Sequence, residues 1–110
     1  MANIIGGCPI KIFHNGLLYI PKGYWSYYGI NSERDKIIRE DREKTIVFSH
    51  FEQRELKDNE SVKKICMGKA HIHPMWMKLN KVKAGEILWL IGTDEGLVLS
   101  VHSHGIIIQN

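Results

Sequence analysis

A repeat runs through the chain and limits its architecture more than any other feature. Residues 11–20 (Lys-Ile-Phe-His-Asn-Gly-Leu-Leu-Tyr-Ile) lie over residues 63–72 (Lys-Lys-Ile-Cys-Met-Gly-Lys-Ala-His-Ile) without a gap, at the offset of 52 that separates Gly16 from Gly68. Ile30 meets Val82 at the same offset. One residue is then deleted near Glu33, after which Asp35 meets Glu86, Val47 meets Val98 and Ser49 meets Ser100 at an offset of 51. Identities are few, but the order is kept: apolar run, glycine, apolar run, helix-like stretch, two more apolar runs. A period of this kind marks a fold assembled from similar units. One unit of four short strands and a helix would expose an apolar face, so the two must cover each other.

The local pattern supports short strands throughout. Residues 10–13 and 17–20 are β-prone runs joined by His14-Asn15-Gly16, and Asn-Gly predicts a hairpin because both residues tolerate positive φ. Pro21 stops the strand and opens a helix, with Tyr24, Tyr27 and Tyr28 at i, i+3 and i+4 as its apolar stripe and Gly29 as its cap. Residues 36–39 and 45–49 predict a second hairpin around the charged turn at 41–44. In the second unit, residues 64–67 and 70–73 flank Gly68, Pro74 opens a helix carrying Trp76, Met77 and Leu79, and residues 87–91 and 97–102 flank a turn at 93–96. The chain therefore reads as one domain over 1–110: unit one at 8–52, a polar linker at 53–61, unit two at 62–105, and a C-terminal strand at 105–109.

Charge follows the repeat. The net value is only +3, yet residues 1–32 and 63–85 contain no Asp or Glu, while the acids collect in the second half of each unit and in the linker. A fold built on this plan carries a basic side made from the first half of both units, the electrostatic footprint of a polyanion binder. For any single lysine, solubilising the surface is the plainer explanation; the recurrence of acid-free stretches is what favours nucleic acid. No apolar run approaches the roughly 20 residues that cross a bilayer, and no basic segment precedes an apolar one at the N-terminus, so neither a membrane partner nor a signal peptide is expected. Cys8 and Cys66 lack Cys-X-X-Cys spacing, which favours a reducing cytoplasm and leaves a single bridge between them open.

Leu18-Tyr19-Ile20-Pro21-Lys22, the helix after it, Tyr28-Gly29-Ile30 and Asp35-Lys36-Ile37 together resemble the AbrB/SpoVT/MazE-like swapped-hairpin DNA-binding family. The second unit keeps another part of that family's line, in Lys81-Val82-Lys83-Ala84-Gly85-Glu86-Ile87 and Asp94-Glu95-Gly96-Leu97-Val98-Leu99. The chain departs from it at Gly23-Tyr24-Trp25 after Lys22, at His73-Pro74 in place of Pro-Lys, and at Arg34-Asp35 in place of Gly-Asp. The resemblance implies a mainly β fold with short helices: a small β-barrel of two homologous swapped-hairpin units, pseudo-dimeric within one chain and similar to a double-psi barrel. It implies a transcription regulator of double-stranded DNA, with contacts from the first hairpin and the segment entering the helix. Those positions are Lys11, His14, Asn15 and Lys22, and in the second unit Lys63, Lys64 and Lys69. A monomeric barrel that can form a homodimer through its C-terminal edge strand is the expected assembly.

Two histidine pairs support the alternative. In His71-Ile72-His73 and His102-Ser103-His104 the imidazoles are two residues apart and share a strand face, so four of them on neighbouring strands could hold zinc or a similar metal in a metal-binding β-barrel or enzyme. The plainer explanation is solvent-facing histidines beside inward Ile72 and Val101. Catalytic signals are weak. Ser49 and Ser100 lack a nucleophile motif, no carboxylate pair is isolated, and Gly6-Gly7 fits no phosphate loop, so neither enzyme activity nor a cofactor is expected.

Overall fold

The computed structural model describes residues 5–101. Eight strands and two helices follow one another as β1 (Ile5–Lys11), β2 (Leu17–Tyr19), α1 (Lys22–Tyr27), β3 (Lys36–Asp41), β4 (Thr45–His50), β5 (Glu60–Lys64), β6 (Lys69–His71), α2 (Pro74–Leu79), β7 (Ile87–Thr93) and β8 (Gly96–Ser100). A single 3₁₀ turn, His14–Gly16, separates β1 from β2. The fold is mainly β with two short helices. Six strands form one antiparallel sheet in the order β1-β7-β8-β4-β3-β5, and β2 pairs with β6 in a separate two-stranded ribbon. Among the described residues both sheets are open, the larger ending at β1 and β5, so strand pairing there does not close a barrel. The expected C-terminal strand at 105–109 lies outside the described residues.

Two predicted hairpins form: β3 pairs with β4 and β7 with β8. The two at the start of each unit do not. β1 pairs with β7 from Lys11 opposite Ile87 to Cys8 opposite Leu90, whereas β2 pairs with β6. The same separation occurs in the second half, where β5 pairs with β3 and only a single bridge, Cys66 with Lys69, spans the turn. The Asn-Gly chemistry is nonetheless used. Asn15 and Gly16 take φ of 63° and 76°, and the turn is closed by the Phe13 N–H donating to Leu17 O at 2.8 Å. Beyond that bond the strands part because Ile10 and Ile12 belong to one layer and Leu18 and Ile20 to the other, all four buried in one core. Burying both pairs against each other outweighs continuing a local ladder.

Exchanging the two halves leaves the sheet order unchanged: β1 maps to β5, β7 to β3 and β8 to β4. Each half thus gives its first strand to the third strand of the other. The offsets seen in the sequence recur in the pairings. In the ribbon, Leu17 faces His71 and Tyr19 faces Lys69, pairs that interchange under a shift of 52, and Leu18 faces Ala70 between them. In the large sheet Val47 faces Val98, its own counterpart at 51. The Ile20 N–H donates to Gly68 O and the Ile72 N–H to Gly16 O, again related by 52. Left-handed residues also pair up: Asn15 with Met67, Gly16 with Gly68, and Gly29 with Lys81.

The core lies between the ribbon and the inner face of the large sheet, where Leu18, Ile20, Ala70 and Ile72 meet Ile12, Ile37, Ile46, Phe48, Leu90 and Leu99. The helices keep the offset of 52 but bury different positions. In α1 the fully buried residue is Trp25, 5.8 Å edge-on to Phe48, while Tyr24 and Tyr28 are half-buried and Tyr27 stays 60% exposed. The tyrosine stripe is therefore displaced, since a helix of six residues is too short for its own periodicity to set its rotation. In α2 Trp76 is buried and Leu79 is exposed. The linker is anchored: Arg54 reaches Glu52 at 3.0 Å and Glu60 at 2.9 Å, and Glu60 and Ser61 already belong to β5.

Candidate nucleic-acid interface

Strand alternation builds the surface of the ribbon. Leu18 and Ala70 point into the core, which turns Tyr19 and His71 outward and leaves Leu17 and Lys69 half-exposed. By the same rule, burying Ile12 turns Phe13 outward. Phe13 and Tyr19 are 39% and 47% exposed and meet edge to face, with ring centroids 5.3 Å apart and planes at 88°. A lysine from each half flanks the pair: Lys11 Nζ lies 5.5 Å from the Phe13 centroid and Lys69 Nζ 5.7 Å from that of Tyr19. The contacts run continuously from Lys11 through Phe13 and Tyr19 to Lys69, uniting residues 58 positions apart in sequence.

His14 and Asn15 are exposed on the turn that follows Phe13. Lys22 is exposed at the first position of α1, two residues after Ile20, whose N–H is bound to Gly68 O beside Lys69. Lys63 and Lys64 are exposed on β5, the far edge of the large sheet, with Lys64 opposite Lys36. Their contribution there has a structural explanation as well, since charge on an edge strand discourages pairing with another chain. The structure thus gathers Lys11, His14, Asn15 and Lys69 around the ribbon, and carries Lys63 and Lys64 on a different element.

The ion pairs of the described residues lie elsewhere. Arg39 pairs with Asp41, Arg42 with Glu40 and Glu95, Arg54 with Glu52 and Glu60, and Lys57 with Glu40. These networks use the acids of the second half of each unit and the linker, and none of them takes up a ribbon lysine. Glu86 lies next to Ile87, the partner of Lys11, and its carboxylate accepts from the Lys83 N–H at 3.4 Å.

An open groove of about 700 Å³ lies beside α2, with Arg39, Asp41, His73, Met75 and Trp76 among its walls. Two of the groups lining it bond within the protein. The Arg39 guanidinium donates to His71 O at 3.1 Å and to Asp41 at 3.3 Å, and Trp76 Nε1–H donates to Arg42 O at 2.8 Å.

Of the alternative histidine set, His71 is exposed on the ribbon and His73 caps α2, its Nδ1 accepting from the Met75 N–H at 3.0 Å. His102 and His104 lie outside the described residues. Among the described residues no three His, Cys, Asp or Glu side chains converge as a metal site. Cys8 and Cys66 are both free thiols, so the bridge between them is not formed. Burial, together with contact with Cys8, raises the Tyr24 hydroxyl to about 12, keeping it neutral and structural. No helix among the described residues is long and apolar enough to cross a membrane.

Phe13 and Tyr19 were not among the candidates read from the sequence. Period two in the runs 10–13 and 17–20 is the signal that finds them: once Ile12 and Leu18 face inward, their neighbours face out. Compared with known proteins, the chain matches no family model, no curated protein and no solved structure.

Proposed function

We propose that this protein is a DNA-binding transcription regulator of the AbrB-like swapped-hairpin type, with both units in one chain acting as an intramolecular pseudo-dimer. The observation that carries the reading is the ribbon surface, where Lys11 of one half and Lys69 of the other flank an exposed aromatic pair beside His14 and Asn15. The exchange of first strands between halves supports the swapped arrangement. In this reading the open large sheet and the ribbon, packed over one core, take the place of a closed barrel. Lysine ammonium groups neutralise phosphates and fix register, while His14 and Asn15, exposed on their turn, offer donors and acceptors to base edges. The target is double-stranded DNA, and the acid-free first halves steer it to this side.

A mobility-shift titration against salt tests the reading. Affinity should fall steeply as salt rises, with a log–log slope of roughly −0.9 for each phosphate neutralised. Replacing Lys63, Lys64 and Lys69 together by Ala, and separately Lys11 with Lys69, should weaken binding across sequences and flatten that slope. No binding at low salt overturns the function. Unchanged affinity in both variants overturns the face.

A further inference from the structure

Phe13 and Tyr19 are the feature of the ribbon that phosphate contact does not explain. Lysines alone would hold a duplex, and two large apolar rings left 39% and 47% in water gain nothing from it. We infer that this pair is a stacking platform for unpaired bases, so that the DNA held here carries at least one nucleotide out of its stack. This rests on the DNA-binding reading.

The chemistry of the ligand follows from the arrangement. A nucleotide joins a flat π face to an anionic phosphate, and each ring here has an ammonium beside its face, 5.5 Å away for Phe13 and 5.7 Å for Tyr19. A base stacking on the ring displaces that ammonium from the π face toward the adjoining phosphate, exchanging one favourable contact for two. Inside a duplex both faces of a base are covered by its neighbours, so only a melted, bulged or flipped nucleotide fits. The two rings stand at 88° and cannot extend one continuous stack. Each takes a separate base, and the backbone must turn between them, which suits a distorted site rather than a regular single helix. Because every base has a π face, this contact adds affinity for distortion without reading sequence, and His14 and Asn15 remain the residues placed to read base edges.

Fluorescence anisotropy with the full chain tests the inference, using a perfect duplex, the same duplex with a two-nucleotide central bubble, and a single-stranded oligothymidine. The bubble should bind at least about tenfold tighter than the perfect duplex. Phe13→Ala and Tyr19→Ala should each lower affinity for the bubble and the single strand by about 5- to 100-fold, a larger loss than for the perfect duplex, with the salt slope kept. Tyr19→Phe should restore wild-type affinity, and near-UV circular dichroism should show both alanine variants folded. Equal affinity for bubble and perfect duplex, or equal loss on both in a folded variant, overturns the stacking platform while leaving the DNA-binding reading intact. Failure to bind any of the three DNAs overturns both.

Discussion

Gly96 shows how one residue is fixed by its neighbour's backbone. Its φ is 140°, and a Cβ built there would collide with the carbonyl oxygen of Phe48 on β4. Gly96→Ala therefore meets both a disfavoured conformation and a rigid obstacle, and should cost at least about 2 kcal/mol. A fall in the urea midpoint at unchanged slope checks it. Gly85 also has positive φ, 97°, but open space around the added carbon, so Gly85→Ala should cost less than Gly96→Ala in the same assay. Gly23 lies in α1 with no atom within 4 Å of an added Cβ, and its φ is not in the left-handed region. Gly23→Ala should stabilise by about 0.5–1 kcal/mol, because alanine restricts the unfolded chain and favours helix. At the core, Trp25→Ala removes a side chain with no solvent exposure and should cost about 3–5 kcal/mol.

The segment before β5 is held by electrostatics rather than by packing. Hydrogen bonds from the Arg54 guanidinium, then from the Lys57 N–H, lower Glu60 from the ordinary 4.5 to about 2. A carboxylate whose folded pKa is depressed contributes stability in full above its unfolded pKa, and that contribution is lost as pH falls toward the folded value. The window here runs from about 4.5 down to about 2. Glu60→Gln should thus be less stable than wild type near pH 6, with the gap closing as pH falls to 2. A pH series of thermal melts reads the difference, and a gap that persists at pH 2 rejects the Arg54 anchor. The same logic, with smaller reach, applies to Glu40 and Glu95, both lowered by contact with Arg42 at the junction of the two hairpins.

For the whole molecule, the pairing of each first strand with the other half makes the halves interdependent. Without β7, β1 has no partner, and without β3, β5 has none. A chain ending after His50 keeps the β3–β4 hairpin but loses the partners of β1, β2 and the outer edge of β4. Such a fragment should be unfolded as a monomer, and should regain β structure only by self-association or on mixing with the second half. Circular dichroism with light scattering checks this; a folded monomeric half would refute the interdependence. Joining the halves through residues 51–59 keeps their effective concentration high.

Much of this was legible in the sequence because it depends on local chemistry. The Asn15-Gly16 and Gly68 turns, Pro21 and Pro74 at the helix starts, the Gly29 cap and the hairpins at 41–44 and 93–96 each follow from what a residue's φ or side-chain period permits. The offsets of 52 and 51 were legible too, since two equivalent units impose equivalent spacing wherever they pair. Which strand each run would join was not legible. Ile10, Ile12, Leu18 and Ile20 read as a hairpin because their alternation is the same whether they pair with each other or with distant strands. Only the burial of both runs in one core separates the cases, and that is a sum over residues from both halves. The same holds for the ribbon surface. Lys11 and Lys69 were visible as basic residues, but their place on either side of Phe13 and Tyr19 exists only because β2 and β6 pair across the approximate twofold. Sequence alone determined the turns, the repeat and the sign of the charge. Tertiary structure decided the partners, because nonlocal burial outweighs the few tenths of a kcal/mol by which a short run prefers one neighbour to another.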